Sequence, residues 1–397
     1  MASERAARSW AAGARDLYLV AMAVFVVNIA IGILNGADAV DFDHNQILTH
    51  VHAGTVGWLT LAIVASSFLL FRAVDRRLLI ALAVLVPLYV AAFYTGSFQL
   101  RALTGAALLV VIGWLLVWLW RQFLGDERSL PRLAVTLGLT SFGYGAVIGV
   151  LLQFQGALGI TLLSGDSIGA HAGAMTFGYL VLVAMGLLEW RILDTPGLPR
   201  GGLVQVVLLF VGGLVISVGL LVGAAQAAGG IYLLTQLVAV ILFVARIWPT
   251  SLRTGWLGAA PVRHFAVASV WVVAALILFM YLVFTFISAA TSDPNALPTN
   301  ILVASDHAVY LGVITNIVVG LLSLLLFGHV GRGLLSHVIF WGINFGLLVF
   351  VIGLIVDTAG VKRLGAPVMG ITLLVALAVL AWEAWKNPDP DAEALAV

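Results

Sequence analysis

Long runs of apolar residues, separated by short polar connections, organise this chain. Cutting it at charged residues, at prolines and at glycine or asparagine clusters leaves twelve runs, each close to the roughly 20 residues that a helix needs to cross a bilayer. No connection exceeds about a dozen residues, so no soluble domain fits between the runs. The predicted spans are 15–36, 47–72, 78–98, 102–120, 132–154, 166–189, 201–223, 227–247, 262–289, 300–327, 334–356 and 366–385.

The spans are predicted to be helices rather than barrel strands, because barrel strands alternate apolar and polar residues and these runs are continuously apolar. Composition agrees: 62% of the 397 residues are hydrophobic and 9% are charged, whereas a soluble domain carries roughly 25% charged residues. This excludes a soluble enzyme, a nucleic-acid-binding protein and a disordered chain. We therefore expect one all-α polytopic domain, covering 1–397, with the lipid bilayer as its surroundings.

Loop charges predict the orientation. If the N-terminus is cytoplasmic, every Lys and Arg lies on the cytoplasmic side except Arg101, Lys362 and Arg363, as the positive-inside rule requires. This predicts a bacterial-type inner membrane, with both termini in the cytoplasm. Ala37 and Ala39 offer a signal-peptide cleavage pattern, but the apolar run 17–34 is too long for a signal core, so we interpret it as the first retained span.

Histidine is the main chemical resource of the chain, because cysteine is absent and no acid lies near a span centre. Span two contains His50-Val-His52-Ala-Gly and span six contains His171-Ala-Gly, while span ten contains His307-Ala. These spans are four apart, which predicts three repeats of a four-helix unit in a pseudo-threefold arrangement. The repeat units are 15–120, 132–247 and 262–385.

The four histidines of spans two, six and ten are candidate metal or haem ligands. All three spans run inward, so these residues are predicted near the outer third of the membrane. Ionisable groups inside spans tend to be functional, and neutral imidazole is the commonest ligand of metals and haem iron. Four other histidines lie elsewhere: His44 is in a loop with two aspartates, and His264, His329 and His337 are at cytoplasmic ends.

Twelve spans with histidines on the second, sixth and tenth resemble the catalytic subunit of haem–copper oxidases and nitric oxide reductases. That family holds a low-spin haem between spans two and ten, beside a second haem and a copper or iron. Here Met175 stands where a tyrosine follows the span-six histidine, span seven lacks a histidine pair, and Val309 replaces a second span-ten histidine. The resemblance therefore implies a reduced, non-pumping site.

The segment 305–335 is similar to the NnrS family of haem- and copper-containing membrane proteins linked to nitric oxide resistance. The shared pattern is His-Ala-x-x-x-Gly, a hydrophobic helix, then Gly-His-x-Gly-Arg; here it begins at His307 and ends with Gly328, His329 and Arg332. This resemblance implies haem b, allows copper as a further metal, and implies binding or turnover of nitric oxide or a related small gas.

The resemblance implies His52 and His307 as axial haem ligands and leaves His50 and His171 for a second metal. The choice between His50 and His52 is nearly even. Weaker candidates are His44, His329, His337 and Arg332.

Three alternatives stay open: a nitric oxide reductase or oxidase supplied by quinol or cytochrome, a metal-ion or small-solute transporter, and an assembly subunit that carries haem without turnover. Transporters often have Gly or Pro interruptions near the midplane. Prolines here lie mostly in loops, with Pro87 the main internal exception, which argues against transport.

Overall fold

The described residues of a computed structural model form helices joined by short connections, and twelve of these helices are long and apolar enough to cross a membrane. This confirms the predicted all-α polytopic fold. The structure describes residues 2–125, 127–193, 196–288, 298–329, 332–388 and 390. The helices are α1 Ala2–Gly36, α2 His44–Phe71, α3 Arg76–Tyr94, α4 Phe98–Gly125, α5 Leu130–Leu158, α6 Ser167–Ile192, α7 Arg200–Leu221, α8 Ala225–Ser251, α9 Val262–Ser288, α10 Thr299–Phe327, α11 Leu334–Ile355 and α12 Ala359–Lys386.

The helices extend beyond the predicted spans at several ends. Helix α12 begins at Ala359 rather than at 366, because Lys362 and Arg363 interrupt the apolar run without interrupting helical hydrogen bonding. Prolines also lie inside helices at positions 249 and 367, as well as at 87, so the prediction that 87 is the main exception was incomplete. The predicted end of span nine, at 289, lies outside the described residues.

Aspartate caps determine where two of the histidine-bearing helices begin. Asp43 accepts from the backbone N–H of Gln46 at 2.8 Å, and the Gln46 side chain accepts from the Asp43 N–H at 2.9 Å, which is a complete capping box. Asp166 accepts from the N–H of Gly169 at 2.8 Å and caps α6 in a similar way. These caps place His50, His52 and His171 within the first two and a half turns.

Helices α2, α6 and α10 share an irregularity that the sequence did not predict. Each begins with nine α-helical residues, continues in π-helical hydrogen bonding, and then returns to α-helix. The π segments are Ala53–Thr60, Thr176–Val181 and Ala308–Thr315. Such segments are rare and occur frequently at functional sites.

The π segments of α2 and α10 repeat in side-chain detail as well. The hydroxyl of Thr60, the last residue of the first segment, donates to the carbonyl of Thr55 at 2.8 Å. Thr315, the last residue of the third, donates to the carbonyl of Tyr310 over the same distance. Both hydroxyls therefore contact the carbonyl five residues earlier, the same carbonyl that π bonding pairs with their own backbone N–H.

The same three helices are the most buried of the twelve. In their most apolar 18-residue windows, 89% of the residues of α2 and α10 and 76% of those of α6 are buried, against at most 67% in each other helix. Since apolar residues of a membrane helix can face lipid at no cost, high burial marks these helices as packed against protein on most sides.

The chain divides into two compact units. The first comprises Met1–Gly96, Thr254–Ala268 and Tyr310–Val397, and within it α1 packs on α2 and α12, and α11 on α12. The second comprises Ser97–Arg253 and Ser269–Val309, and within it consecutive helices from α4 to α8 pack side by side. The division into three repeat units stays a prediction.

Candidate functional site

His52, in the first unit, is the last residue before the π segment of α2. Its Nδ1 lies 2.8 Å from the carbonyl oxygen of Leu48, and its ring stacks on Phe93 with centroids 3.7 Å apart and planes at 16°. Because a carbonyl oxygen can only accept, Nδ1 must carry the proton. Nε2 therefore has the lone pair, which is the tautomer in which imidazole binds a metal.

His50, also in the first unit, is fixed by one residue of α1. Its Nδ1 lies 2.9 Å from the backbone carbonyl oxygen of Asn28 and 3.1 Å from the Asn28 side-chain nitrogen, and this side-chain amide donates to the His50 carbonyl at 2.5 Å. Gly32 gives the ring room, since a Cβ there would lie 3.0 Å from its Cε1. Nδ1 of His50 thus faces both an acceptor and a donor of Asn28, whereas Nδ1 of His52 faces a carbonyl.

His171, in the second unit, also bonds a backbone carbonyl through Nδ1, but this carbonyl belongs to another helix. Its Nδ1–H donates to the carbonyl of Gly145 on α5 at 2.8 Å. A Cβ on Gly149 would lie 2.7 Å from the His171 Cε1, so glycine at that position is what admits the ring beside α5.

His307, in the second unit, ends the first α-helical part of α10. Its Nδ1–H donates to the carbonyl of Val303 at 2.8 Å, one turn earlier, as His52 does to Leu48. His52 and His307 thus occupy equivalent places, ninth in their helices and directly before a π segment. In α6 that place belongs to Met175, and His171 lies one turn earlier.

The four predicted ligands are divided between the two units. His50 and His52 belong to the first unit, and His171 and His307 to the second. The predicted pairing of His52 with His307, and of His50 with His171, therefore stays a prediction.

Haem iron and an isolated metal ion need different numbers of protein ligands. Haem iron needs only one or two, and His52, His171 and His307 have the tautomer in which imidazole can bind iron. An isolated metal ion is typically held by three or four protein side chains. Among the described residues, no three His, Asp or Glu gather closely enough to hold one.

The weaker candidates have other surroundings. His44 and His329 are exposed. His337 accepts a hydrogen bond at Nδ1 from Arg263, 3.0 Å away. Arg332 forms a 2.9 Å ion pair with Glu383. The motif that links His329 to Arg332 passes through 330 and 331, which lie outside the described residues.

A buried polar network around His264 was missed by the sequence interpretation. The Nδ1–H of His264 donates to the side-chain oxygen of Asn316 at 2.9 Å. Asn316 and Asn344 exchange two amide hydrogen bonds, of 3.0 and 3.1 Å. The Asn316 amide also donates to the carbonyls of Leu311 and Gly312 in the π segment of α10. The available signal was an asparagine within each of two apolar spans.

Comparison with known proteins provides no identification. No protein-family model matches the chain, and neither does any curated protein.

Proposed function

We propose that the protein is a membrane haem protein that binds or turns over nitric oxide or a related small gas. The supporting observation is the shared chemistry of His50, His52, His171 and His307. In each, Nδ1 lies within hydrogen-bond distance of a backbone carbonyl, which for His52, His171 and His307 places the lone pair on Nε2. Metal-binding histidines characteristically have this outer-shell hydrogen bond, which fixes both the tautomer and the ring direction.

In this proposal His52 and His307 would hold haem b, and His50 and His171 would hold a second metal, which can be copper. Bound metal would supply the coordination chemistry that takes the gas. The protein contributes rigid imidazoles: their Nδ1 bonds remove ring rotation, and the π segments after His52 and His307 set the helical face on which each ring lies.

The resemblance to NnrS proteins and to haem–copper oxidases is consistent with this proposal and extends it. It suggests an inner-membrane protein with cytoplasmic termini, and a quinol- or cytochrome-linked reductase or oxidase as the form the function takes if turnover occurs. Such an enzyme would be non-pumping, since no acid stands near a span centre to relay protons.

An optical spectrum with metal analysis tests the proposal. Protein purified from haem-replete cells should show a Soret band, with iron by elemental analysis, and reduced protein should change its spectrum on addition of nitric oxide. Protein that contains neither iron nor copper would refute the proposal. A Soret band that does not respond to nitric oxide would support the bound haem and refute the binding of nitric oxide.

A metal-ion transporter is a second candidate, supported by the π segments of α2, α6 and α10. Transporters often bind their substrates where spanning helices lose regular hydrogen bonding. Uptake of zinc or copper into vesicles containing purified protein, lost on substitution of His171 by alanine, would favour this candidate over the haem protein.

A further inference from the structure

One end of the first unit is basic. Arg15 of α1 and the residue after α12 lie together there, since Arg15 donates to the carbonyl of Asn387 at 3.2 Å. At this terminal end, the described basic residues outnumber the acidic ones. The basic residues are Arg15, Arg72, Arg76, Arg77, Arg263, Arg332 and Lys386, and the acidic ones are Asp16, Asp75 and Glu383. A basic end suits a membrane surface that contains anionic lipids.

A small pocket opens at this end, between α10, α11, α12 and the connection before α9. Its polar lining comes from His264, Ser323, Arg332 and Ser336, and its apolar lining includes the neighbouring pair 379–380 of α12. The cavity volume is about 20 Å³, which is space for roughly one water-sized group. The pocket can therefore receive a single hydroxyl, with the remainder of a ligand at its mouth.

His264 lines this pocket and has one ring nitrogen that does not take part in its bond to Asn316. Its side chain is only 4% exposed, and it uses Nδ1–H to donate to Asn316. The lone pair is therefore on Nε2, so the group that His264 can receive is a donor, such as a hydroxyl.

Arg332 provides a cation at the mouth. Its side chain is 49% exposed and forms an ion pair with Glu383 at 2.9 Å, while its backbone N–H donates to the Ser336 hydroxyl at 2.7 Å. A half-exposed guanidinium has donors to spare beyond one carboxylate, because it carries five N–H groups.

Arg263 adds a positive charge that no carboxylate of the described residues contacts. It is completely buried, and its Nη1 donates to the Gly258 carbonyl at 2.6 Å and to His337. Its other terminal nitrogen donates to the carbonyl of Ser336, which lines the pocket. Within the described part of the chain, no carboxylate contacts this guanidinium and its Nε has no partner. An uncompensated buried cation favours an anion nearby.

Exposed aromatic residues lie close to the pocket along α12. Trp382 and Trp385 are exposed near the end of α12, and Lys386 lies 4.7 Å from the centre of the Trp382 ring. Exposed tryptophans with lysine mark the membrane–water interface. Leu380, in the pocket wall, is two residues from Trp382, or roughly 3 Å along the helix axis.

We propose that this pocket binds an anionic phospholipid whose headgroup carries a hydroxyl, of the phosphatidylglycerol type. The headgroup hydroxyl enters the cavity and donates to Nε2 of His264. The phosphate lies at the mouth beside Arg332, where Arg263 adds its field. The acyl chains run along the apolar wall that includes Val379 and Leu380.

Thermal stability of delipidated protein in detergent, titrated with defined lipids, tests the site. Phosphatidylglycerol should stabilise the wild type at lower concentration than phosphatidylethanol, which has the same charge and no hydroxyl, and phosphatidylcholine should have little effect. Arg332→Gln should weaken the phosphatidylglycerol response about tenfold or more, the effect of one lost hydrogen bond to a charged phosphate. The matched control is Arg77→Gln, at an exposed arginine of the same end, which should leave the response unchanged.

Several outcomes would overturn the proposal. Equal responses to phosphatidylglycerol and phosphatidylethanol would show that the pocket does not recognise the headgroup hydroxyl. Equal losses of response in Arg332→Gln and Arg77→Gln would indicate diffuse attraction to a charged surface. A full response to inorganic phosphate or glycerol phosphate would identify a soluble anion as the ligand. A His264→Gln variant that keeps the phosphatidylethanol response and loses the preference for phosphatidylglycerol would support the assignment of the hydroxyl.

Discussion

The indole N–H of Trp58 donates to the hydroxyl of Thr315 over 2.9 Å, and both groups are buried. Trp58 lies in the π segment of α2 and Thr315 ends the π segment of α10. The indole also stacks on Phe25 of α1, with centroids 4.5 Å apart and planes 2° from parallel. One side chain therefore joins the irregular parts of two helices and ties both to α1.

Replacing Thr315 with valine should lower the stability of the protein by about 1–3 kcal/mol, because the Trp58 N–H would be left buried without an acceptor. A fall in the melting temperature of the purified protein measures the effect. Thr104→Val is the matched control, since the Thr104 hydroxyl bonds only within its own helix. If both variants melt alike, the Trp58–Thr315 bond contributes nothing. In a double-mutant cycle with Trp58→Phe, the two losses should not add.

His52→Ala should remove or convert the haem spectrum if His52 is an axial ligand, since iron would lose one of its strong-field nitrogens. His44→Ala is the control, because His44 is an exposed histidine at the start of the same helix. The measurement is the Soret band and the haem content per polypeptide. If the His171→Ala variant loses haem and the His52→Ala variant keeps it, the haem ligand is His171 on α6 and not His52.

Glu189→Gln should destabilise the protein by about 3–5 kcal/mol, the usual cost of removing one partner of a buried ion pair. Glu189 is only 1% exposed and receives two hydrogen bonds from Arg246, one of them 2.9 Å long. Asp357→Asn breaks a 3.0 Å pair with Lys362 whose aspartate is 72% exposed, and should cost about 1 kcal/mol or less. Similar losses for both variants, in thermal or denaturant unfolding, would contradict this ranking.

Gly213→Ala should destabilise the second unit, by about 1–3 kcal/mol for an overpacked contact. A Cβ on Gly213 would lie 2.4 Å from the Cα of Gly178, in the π segment of α6, and backbone cannot rotate away as a side chain can. Gly113 is the control, because a Cβ there meets nothing within 4 Å. Gly113→Ala should be neutral or stabilising, by up to about 1 kcal/mol. Comparable melting temperatures for the two variants would rule out the close approach.

The twelve helices were predictable because bilayer thickness makes helix length a property of local hydropathy alone. Their ends were less predictable. A charged pair such as Lys362 and Arg363 ends an apolar run, but it need not end a helix that continues into water. The histidines were found because ionisable groups are rare in this chain.

The partners of these histidines could not be predicted, because they are carbonyls rather than side chains. Nothing in the sequence distinguishes Gly145 as an acceptor for His171, nor indicates that Leu48 and Val303 turn their carbonyls to His52 and His307. The π segments were equally hidden, since they depend on backbone hydrogen bonding that many apolar sequences allow.

The π segments let the residue count of a histidine-bearing helix change without turning its imidazole. A helix turns by about 100° per residue, and a π segment accommodates an extra residue without breaking the helix. Deleting one residue from Ala53–Thr60, such as Val56, would let α-helical bonding run through. The parts of α2 before and after it would keep their relative orientation, because the residue removed is the one that the π turns absorb. A deletion from the regular stretch Leu61–Phe71 would instead rotate the part before it by about 100° against the part after it. The π segments are thus the places where these helices can change length by one residue without re-aiming an imidazole.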